Sequence, residues 1–317
     1  MIEGLRESPR VRVAVVGTGV MGRLHARVLQ GLGHDVELTG VYDANRAVSA
    51  EVAALRGVKS FAREADAIAN ADLLIVATPI SAHASTARRA LDAGLSVFVE
   101  KPLCARADDA LALVRATCPR RHLFVGHSER FNPVVRALRS LVAPFEIRSV
   151  DLRRVASSAP RAREHGVILS LAVHDLDLVS FLTRSPIEVV HAAGTGDDSV
   201  RLALRSSHGA SARIFVDRTA GVRERAIEIL TDRDAFSGNL LVPRLTRTSR
   251  VTGRSEDVPL PVEEALVAQA VAMVRALRGL GPTDIATGAD GASVLHLAER
   301  AIDELGSGAA AHVSAAS

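Results

Sequence analysis

Short apolar runs alternate with helical stretches through the first third of the chain. The run Val11–Val16 is apolar and β-branched, ends in the glycine-rich turn GTGVMG, and precedes a helical stretch from Met21 to Gly31. Further strands are predicted over Val36–Asp43, Leu73–Ala77 and Ser96–Val99, and helical sequence separates them. Strands that alternate with helices in this way predict an α/β domain with a doubly wound, mostly parallel sheet.

The pattern changes after residue 122. A strand over Glu146–Val155 and a helix over Val167–Leu182 precede two strand-like runs that meet at the turn Ser207–Gly209, which predicts an antiparallel hairpin. Helices are predicted over Glu263–Leu277 and Ala292–Leu305. The second part of the chain is therefore expected to be an α+β domain with a large open, mostly antiparallel sheet.

These patterns predict two domains, 1–122 and 123–317. The chain of 317 residues is long enough to bury two moderate cores. The Gly/Ala/Ser-rich end, 306–317, is expected to be a flexible tail. No internal repeat is visible.

Composition excludes several other classes of protein. The net charge of +3 comes from scattered arginines, and aromatic residues make up only 3% of the chain, so nucleic-acid binding is not expected. No apolar run approaches the ~20 residues of a membrane span, and the N-terminus lacks an apolar signal core. Two cysteines form neither a disulfide framework nor a zinc pattern, and the histidines lack ligand spacing, so no metal is predicted. We expect a cytoplasmic protein.

The first turn carries a dinucleotide-binding pattern. Gly17, Gly19 and Gly22 match G-x-G-x-x-G between a strand and a helix, where a pyrophosphate can approach the backbone at the positive helix terminus. Asp43 ends the second predicted strand, where a carboxylate accepts the ribose hydroxyls and repels the 2'-phosphate of NADP. NAD is therefore the predicted cofactor. Arg46 keeps NADP open as the alternative, because a guanidinium there can contact a 2'-phosphate.

Lysine is rare in this chain. Arginine supplies the rest of the basicity, and the only lysines are Lys59 and Lys101. Lys101 stands in the motif Glu-Lys-Pro directly after the strand SVFV. A compact ammonium with an adjustable pKa suits proton transfer in a way that a guanidinium does not, so Lys101 is a candidate catalytic residue.

Three motifs together resemble the glucose-fructose oxidoreductase and inositol dehydrogenase (Gfo/Idh/MocA) family. They are Glu100-Lys101-Pro102, the strand end Ala77-Thr78-Pro79 with His83, and GVILSLAVHDLD from Gly166 to Asp177, and their order spans nearly the whole chain. The resemblance implies a cis peptide before Pro102, with Lys101 directed at the nicotinamide and the substrate. It also implies that His174 exchanges the substrate proton, and that the open sheet of the second domain supports a homo-oligomer, a dimer or tetramer.

The helix predicted near Val167 carries a polar stripe. Ser170, His174 and Asp177 lie within about sixty degrees of one another on a helix of 3.6 residues per turn. A histidine at such a position, taken alone, is more often a hydrogen-bonded core histidine than a catalytic base. The resemblance assigns the catalytic role to His174. Ser170 departs from the family, whose dehydrogenases usually carry aspartate there, so a carboxylate beside the histidine is lost unless Asp177 supplies its charge.

The sequence leaves several substrate classes open. GHSERFNP, which includes Arg130, and the passage from Asp151 to Asp175 resemble the branch that oxidises C3 of UDP-N-acetylglucosamine. Arginines in this passage could bind a diphosphate through bidentate contacts, or could be a solvated face. The alternatives are an inositol, an aminocyclitol or a sugar intermediate of specialised biosynthesis, and a catalytically impaired NAD(H)-binding regulatory protein.

The predicted site residues form three sets. The catalytic set is Lys101, His174, Asp177 and Ser170. The cofactor-binding set is Gly17, Gly19, Val20, Met21, Gly22, Asp43, Thr78, Pro79, His83, Glu100 and Lys101, with Tyr42 as a further neighbour and an ion pair expected between Glu100 and Lys101. The substrate-binding set is Lys101, Arg130, Arg153, Arg161, Arg163, Ser170 and His174, and Arg154 belongs to the same arginine-rich passage.

Overall fold

The computed structural model describes residues 9–156 and 165–314, with side chains through residue 306. The strands are β1 Val11–Val16, β2 Val36–Tyr42, β3 Lys59–Ser60, β4 Leu73–Val76, β5 Ser96–Val99, β6 Leu123–Val125, β7 Ile147–Val155, β8 Ile187–Gly194, β9 Ser199–Ser206, β10 Ser211–Asp217, β11 Glu224–Thr231, β12 Asp234–Asn239, β13 Arg244–Ser249, β14 Ser255–Asp257 and β15 Ala286–Thr287. The helices are α1 Val20–Gly31, α2 Arg46–Arg56, α3 Glu64–Ala69, α4 Ile80–Asp92, α5 Ala107–Ala116, α6 Pro133–Leu141, α7 Val173–Thr183, α8 Ala265–Leu277 and α9 Gly288–Ser314.

The described chain forms two compact units. One contains the described residues up to Ser128 together with Leu266–Ala292, and the other contains the described residues from Glu129 to Ala265 and from Ser293 onward. This division differs from the predicted boundary after residue 122 in two places. The strand β6 pairs with β5 and β15 pairs with β6, so both β6 and the segment around β15 complete the first sheet.

The first unit is built on a seven-stranded sheet in the order β15-β6-β5-β4-β1-β2-β3. All neighbours are parallel except β15, which runs antiparallel to β6. Strands β4 and β5 are buried along their whole length, as expected for parallel strands covered by helices on both faces. The order reverses between β1 and β4, which is the position at which doubly wound sheets bind ligands.

The second unit is built on an eight-stranded sheet in the order β14-β13-β12-β11-β7-β10-β9-β8. Only β7 and β10 are parallel neighbours. Residues of β9 alternate between buried and accessible, so one face of the sheet forms a core with α6, α7 and α9 and the other face carries polar side chains. The predicted fold class is confirmed, and so is the hairpin of β9 and β10.

The last helix extends into the Gly/Ala/Ser-rich end of the chain. Helix α9 continues to Ser314, so residues 306–314 are helical, and the flexibility expected of 306–317 stays a prediction. Alanine has the highest intrinsic helix propensity, which explains why an alanine-rich end can extend a packed helix. No helix in the described ranges is long and apolar enough to cross a membrane.

Candidate active site

The turn between β1 and α1 leaves open space at a helix N-terminus. Gly17 has a φ of 91°, and a Cβ on it would overlap the carbonyl oxygen of Ala77. A Cβ on Gly22 would overlap the carbonyl of Gly17, so α1 can pack this closely only with glycine at that position. By contrast, no atom lies within 4 Å of the position of a Cβ on Gly19, which immediately precedes α1. The turn therefore has the shape that a dinucleotide pyrophosphate requires.

The next two residues can contribute through their backbone. Val20 has an exposed side chain, whereas Met21 packs against an apolar cluster that contains Val28 and Leu266. Both residues lie in the first turn of α1, whose N–H groups have no acceptor within the helix. These donors are what an anion at the helix terminus would use.

We expect Gly19→Ala to weaken NADH binding without unfolding the protein. The added methyl group has free space in the structure, but it would occupy the position where a pyrophosphate must approach the backbone. A dissociation constant raised at least about tenfold, which corresponds to about 1.4 kcal/mol, is the expected result in a fluorescence titration. Gly31→Ala is the matched control, because Gly31 lies at the other end of α1 and is equally open. Equal NADH affinity of the two variants would contradict this use of the turn.

Asp43 is held by the glycine turn at the end of β2. Its Oδ2 accepts hydrogen bonds from the N–H and the hydroxyl of Thr18 at 2.7 and 3.0 Å, and its Oδ1 accepts from the N–H of Asn45 at 2.9 Å. The backbone of Tyr42 joins the same arrangement, because its carbonyl accepts from the N–H of Gly17 at 2.8 Å. A carboxylate offers about four acceptor positions, so these three bonds orient Asp43 and leave capacity for a ribose hydroxyl.

The buried side chain of His83 joins the two chain segments that follow β4 and β5. The peptide between Lys101 and Pro102 is cis. The ring of His83, on α4, lies with Nδ1 2.8 Å from the carbonyl of Pro102 and Nε2 2.9 Å from the carbonyl of Thr78. Burial lowers the pKa of His83, although both carbonyls act in the opposite direction. His83 is only 1% exposed, so the structure places it as a brace between two backbone segments, with Pro79 exposed beside it.

Stability should depend on pH through His83. Because its folded-state pKa is lowered, the unfolded chain binds this proton more readily below about pH 6.5, and the free energy of unfolding falls as the pH decreases. We therefore expect His83→Gln to destabilise the protein less at pH 5.5 than at pH 7.5, as measured by urea unfolding. His208→Gln, in the exposed turn between β9 and β10, serves as the control. An equal destabilisation by His83→Gln at both pH values would show that the folded protein does not disfavour protonation of His83.

The carboxylate of Glu100 is buried between α1 and the Lys101 backbone. Its Oε1 lies 2.6 Å from Nε2 of His25, and its Oε2 accepts the N–H of Lys101 at 3.2 Å. Burial acts to raise the pKa of Glu100, but the hydrogen bond with His25 and the charges of His25 and Lys101 outweigh it and lower that pKa. Gly126 makes room for the carboxylate, since a Cβ there would lie 2.9 Å from Oε2.

Sequence reasoning did not identify His25. The signal was present, because His25 shares the buried face of α1 with Gly22, Ala26 and Leu29 at helical spacing. A histidine on such a face needs a buried partner, and the carboxylate of the Glu-Lys-Pro motif is that partner.

The candidate catalytic helix starts with an irregular turn. Residues Ile168–Ala172 form a π-helical turn, and α7 begins directly after it. Ser170 lies in this turn, and its hydroxyl donates to the carbonyl of Gly166 at 3.1 Å. The predicted stripe therefore holds for His174 and Asp177, which both lie in α7, but a spacing of 3.6 residues does not relate Ser170 to them. Such turns often occur at functional sites.

The two aspartates that follow His174 both bind buried arginines. Arg130 donates to Asp177 from Nε and Nη2 at distances of 2.6 to 3.1 Å, and its guanidinium also lies 4.9 Å from the centre of the Phe181 ring. Arg154 makes a similar bidentate contact with Asp175. The predicted substrate ligand Arg130 is thus placed in a buried ion pair with a predicted catalytic residue.

The arginine-rich passage does not form one cluster among its described members. Arg153 and Arg154 are neighbours in β7 and point to opposite faces of the sheet. Arg153 is exposed, donates to Glu224 at 2.6 Å and stacks on Phe215, whereas Arg154 is buried. Arg161 and Arg163 lie outside the described residues. A charge count along the sequence cannot show that adjacent strand residues separate in this way.

Lys101 and His174 are both partly exposed, each within its own unit. Each follows a distinctive backbone feature, the end of β5 for Lys101 and the π-helical turn for His174. Over the ranges that the structure describes, no group of three or more His, Cys, Asp or Glu side chains is arranged to hold a metal ion.

Comparison with known proteins identifies the family. The model of an oxidoreductase family with an NAD-binding Rossmann fold (Gfo/Idh/MocA) matches residues 11–127. UDP-N-acetylglucosamine 3-dehydrogenase of Acidithiobacillus ferrooxidans is 32% identical over 276 residues, which cover 82% of this chain and 86% of that protein. Its solved structure superposes with a TM-score of 0.85, covering 94% of this chain and 98% of that one, at 28% identity.

A second relative is inositol 2-dehydrogenase 1 of Saccharopolyspora erythraea, which is 34% identical over 71% of this chain and 67% of its own. The two relatives, the family model and the glycine turn of the first unit all indicate the same family of oxidoreductases. The chain belongs to the Gfo/Idh/MocA oxidoreductase family, whose members carry an NAD-binding Rossmann domain.

Proposed function

We propose that this protein transfers hydride between NAD and a ring hydroxyl or ketone of a nucleotide sugar, with C3 of UDP-N-acetylglucosamine as the reacting position. The observation that carries the proposal is the similarity to UDP-N-acetylglucosamine 3-dehydrogenase, which extends over both units in sequence and in fold. The motifs Glu100-Lys101-Pro102 and GVILSLAVHDLD lie within this similarity and support the assignment of the reaction centre.

The first unit has the features needed to hold the cofactor. The turn at Gly17, Gly19 and Gly22 would bind the pyrophosphate, and Asp43, already oriented by Thr18, would accept a ribose hydroxyl. The carboxylate of Asp43 repels a 2'-phosphate, which favours NAD over NADP. When bound, the nicotinamide ring supplies the carbon that accepts or donates the hydride.

Side chains of this protein bind the reacting oxygen and transfer the proton of the substrate hydroxyl. We assign to Lys101 a hydrogen bond to the reacting oxygen, and to His174 the transfer of the hydroxyl proton as the carbonyl forms. An imidazole titrates near neutral pH, so it can accept this proton in oxidation and return it in reduction. Ser170 or Asp177 would orient the substrate or the imidazole. The partly buried hydrogen bond from the N–H of Lys101 to Glu100 supports the backbone from which the ammonium projects.

A cyclitol or a simple sugar is the second candidate substrate class. The similarity to inositol 2-dehydrogenase 1 favours it, and Arg153, one of the arginines predicted to bind a diphosphate, is already paired with Glu224 on the outer face of β7. The third hypothesis, an NAD(H)-binding regulatory protein, rests on Ser170, since a serine cannot stabilise an imidazolium by charge.

A substrate panel separates these hypotheses. Purified protein is mixed with NAD or NADP and with UDP-sugars, sugar phosphates, inositols or aminocyclitols, and nicotinamide absorbance is followed. Turnover of UDP-sugars with NAD would support the proposal, and turnover of neutral cyclitols alone would replace it with the second candidate. Tight NADH binding without turnover of any compound would favour the regulatory hypothesis.

We also propose that the protein is a cytoplasmic homo-oligomer. The outer face of the second sheet supports an interface between copies. It carries the apolar ring of Phe215 among polar side chains, between the guanidinium groups of Arg153 and Arg201. Light scattering coupled to size-exclusion chromatography would measure the oligomeric state, and a monomer at micromolar concentration would contradict the proposed homo-oligomer.

A further inference from the structure

Two buried ion pairs hold the first two turns of α7. The side chains of Arg154 and Asp175 are each 2% exposed, and those of Arg130 and Asp177 are 6% and 1% exposed. In both pairs the guanidinium donates through Nε and Nη2 to both carboxylate oxygens. Such fork-shaped contacts define an orientation as well as a distance.

The two aspartates lie on either side of His174 around the helix. At about 100° per residue, Asp175 projects about 100° to one side of His174 and Asp177 about 60° to the other. The side chain of His174 therefore projects between two side chains that ion pairs hold in place. Rotation of α7 about its axis would break both ion pairs, so the pairs fix the direction in which His174 points.

The anchor on Asp175 belongs to a larger buried network. Arg154 and Arg225 are opposite each other on β7 and β11, and both donate to Oε1 of Glu129, at 3.1 and 2.7 Å. Two like charges in direct cross-strand contact are unfavourable, and Glu129 offsets this. Burial alone would lower the pKa of Arg154, but the charges of Asp175 and Glu129 raise it, so the guanidinium is charged at every relevant pH.

We propose that Arg154 and Asp175 are positioning residues that hold the imidazole of His174 in place for proton transfer. The proposal rests on the proposed function only for the role of His174. A buried ion pair often adds little net stability over an apolar replacement of similar volume, so its main contribution here is geometric. The ion pair also lies directly after the π-helical turn, where the chain departs from regular helical spacing.

The test replaces the whole pair, since removing one partner would leave a buried charge. In Arg154→Met/Asp175→Leu, Glu129 keeps its partner Arg225, and the core remains filled. We expect NADH affinity and KM to change little, and kcat to fall by up to about 100-fold, the size of effect that a misplacement of about 1 Å can cause. The matched control is Arg148→Met/Asp232→Leu, which removes the exposed ion pair between Arg148, on the same strand β7, and Asp232, in the turn between β11 and β12. Wild-type kcat in the first double variant would overturn the proposal.

Two further measurements keep the result interpretable. Long-range ¹H–¹⁵N spectra of histidine-labelled protein, assigned with His174→Gln, should show altered His174 signals in the double variant but not in the control. This readout needs no substrate, so it tests the anchor even if every sugar in the panel fails and the proposed function is rejected. If the double variant does not fold, Arg154→Lys keeps the charge and loses the bidentate contact, and it should give an intermediate kcat with shifted His174 signals. Unchanged His174 signals in whichever variant folds would overturn the proposal.

Discussion

Replacing Lys101 with arginine is expected to lower kcat by about 10²- to 10⁴-fold, the range typical for loss of a general acid or base. Arginine keeps the positive charge but holds it on a planar, permanently protonated group, which cannot take the place of a compact ammonium at the reacting oxygen. NADH affinity should fall far less than kcat, because the turn at Gly19 and the carboxylate of Asp43 are unchanged. Steady-state kinetics and an NADH titration measure the two effects separately.

The chain contains its own control for this experiment. Lys59, on the short strand β3 of the same unit, is the other lysine and is exposed. Lys59→Arg should leave kcat, KM and NADH affinity unchanged. If Lys101→Arg also retained wild-type kcat, the chemical role assigned to Lys101 would be wrong, and the rarity of lysine in this chain would have no bearing on catalysis.

Replacing His174 with glutamine is expected to produce a loss of similar size, about 10²- to 10⁴-fold in kcat. The amide fills similar space and can donate or accept a hydrogen bond, but it cannot carry the proton away. In the oxidation direction the wild-type protein should lose activity as the pH falls, because a protonated imidazole cannot act as a base. That acid limb should be absent from the residual activity of the variant.

His191→Gln is the matched control for His174→Gln, because His191 lies in the second unit on β8 and is exposed. It should retain both the wild-type rate and the acid limb. An acid limb that persists unchanged in His174→Gln would assign the ionisation to another group and remove the basis for His174 as the base.

The fold could be predicted from the sequence because its elements have strong local signals. The β-branched run Val11–Val16 and the glycine turn that follows define a strand and a helix start, and alternation in β9 and β10 defines a hairpin. The ends of the units were harder to place. The two-residue strand β15 has no recognisable pattern of its own and belongs to the first sheet only through its pairing with β6.

The positions of candidate site residues could be predicted where motifs mark them, but their buried partners could not, because tertiary packing decides those contacts. Gly19, Asp43 and Lys101 stand in motifs with a fixed relation to strand ends. The pairings of Glu100 with His25 and of Asp177 with Arg130 could not be predicted in this way. His25 stands out as a polar residue on a buried helix face, but nothing local shows which distant carboxylate it contacts. The separation of Arg153 from Arg154 is a further example, since it follows from the side-chain alternation of a strand whose inner face is covered by α7.

In the proposed reaction hydride leaves C3 of a nucleotide sugar, and an isotope experiment can follow that hydride. The protein is incubated with NAD and UDP-N-acetylglucosamine that carries deuterium at C3, and the reduced cofactor is analysed by mass spectrometry. We expect the reduced cofactor to carry the deuterium, and Lys101→Arg to form little reduced cofactor under the same conditions. Reduced cofactor without deuterium, or reduction only when an inositol replaces the nucleotide sugar, would rule out C3 of the nucleotide sugar as the source of the hydride.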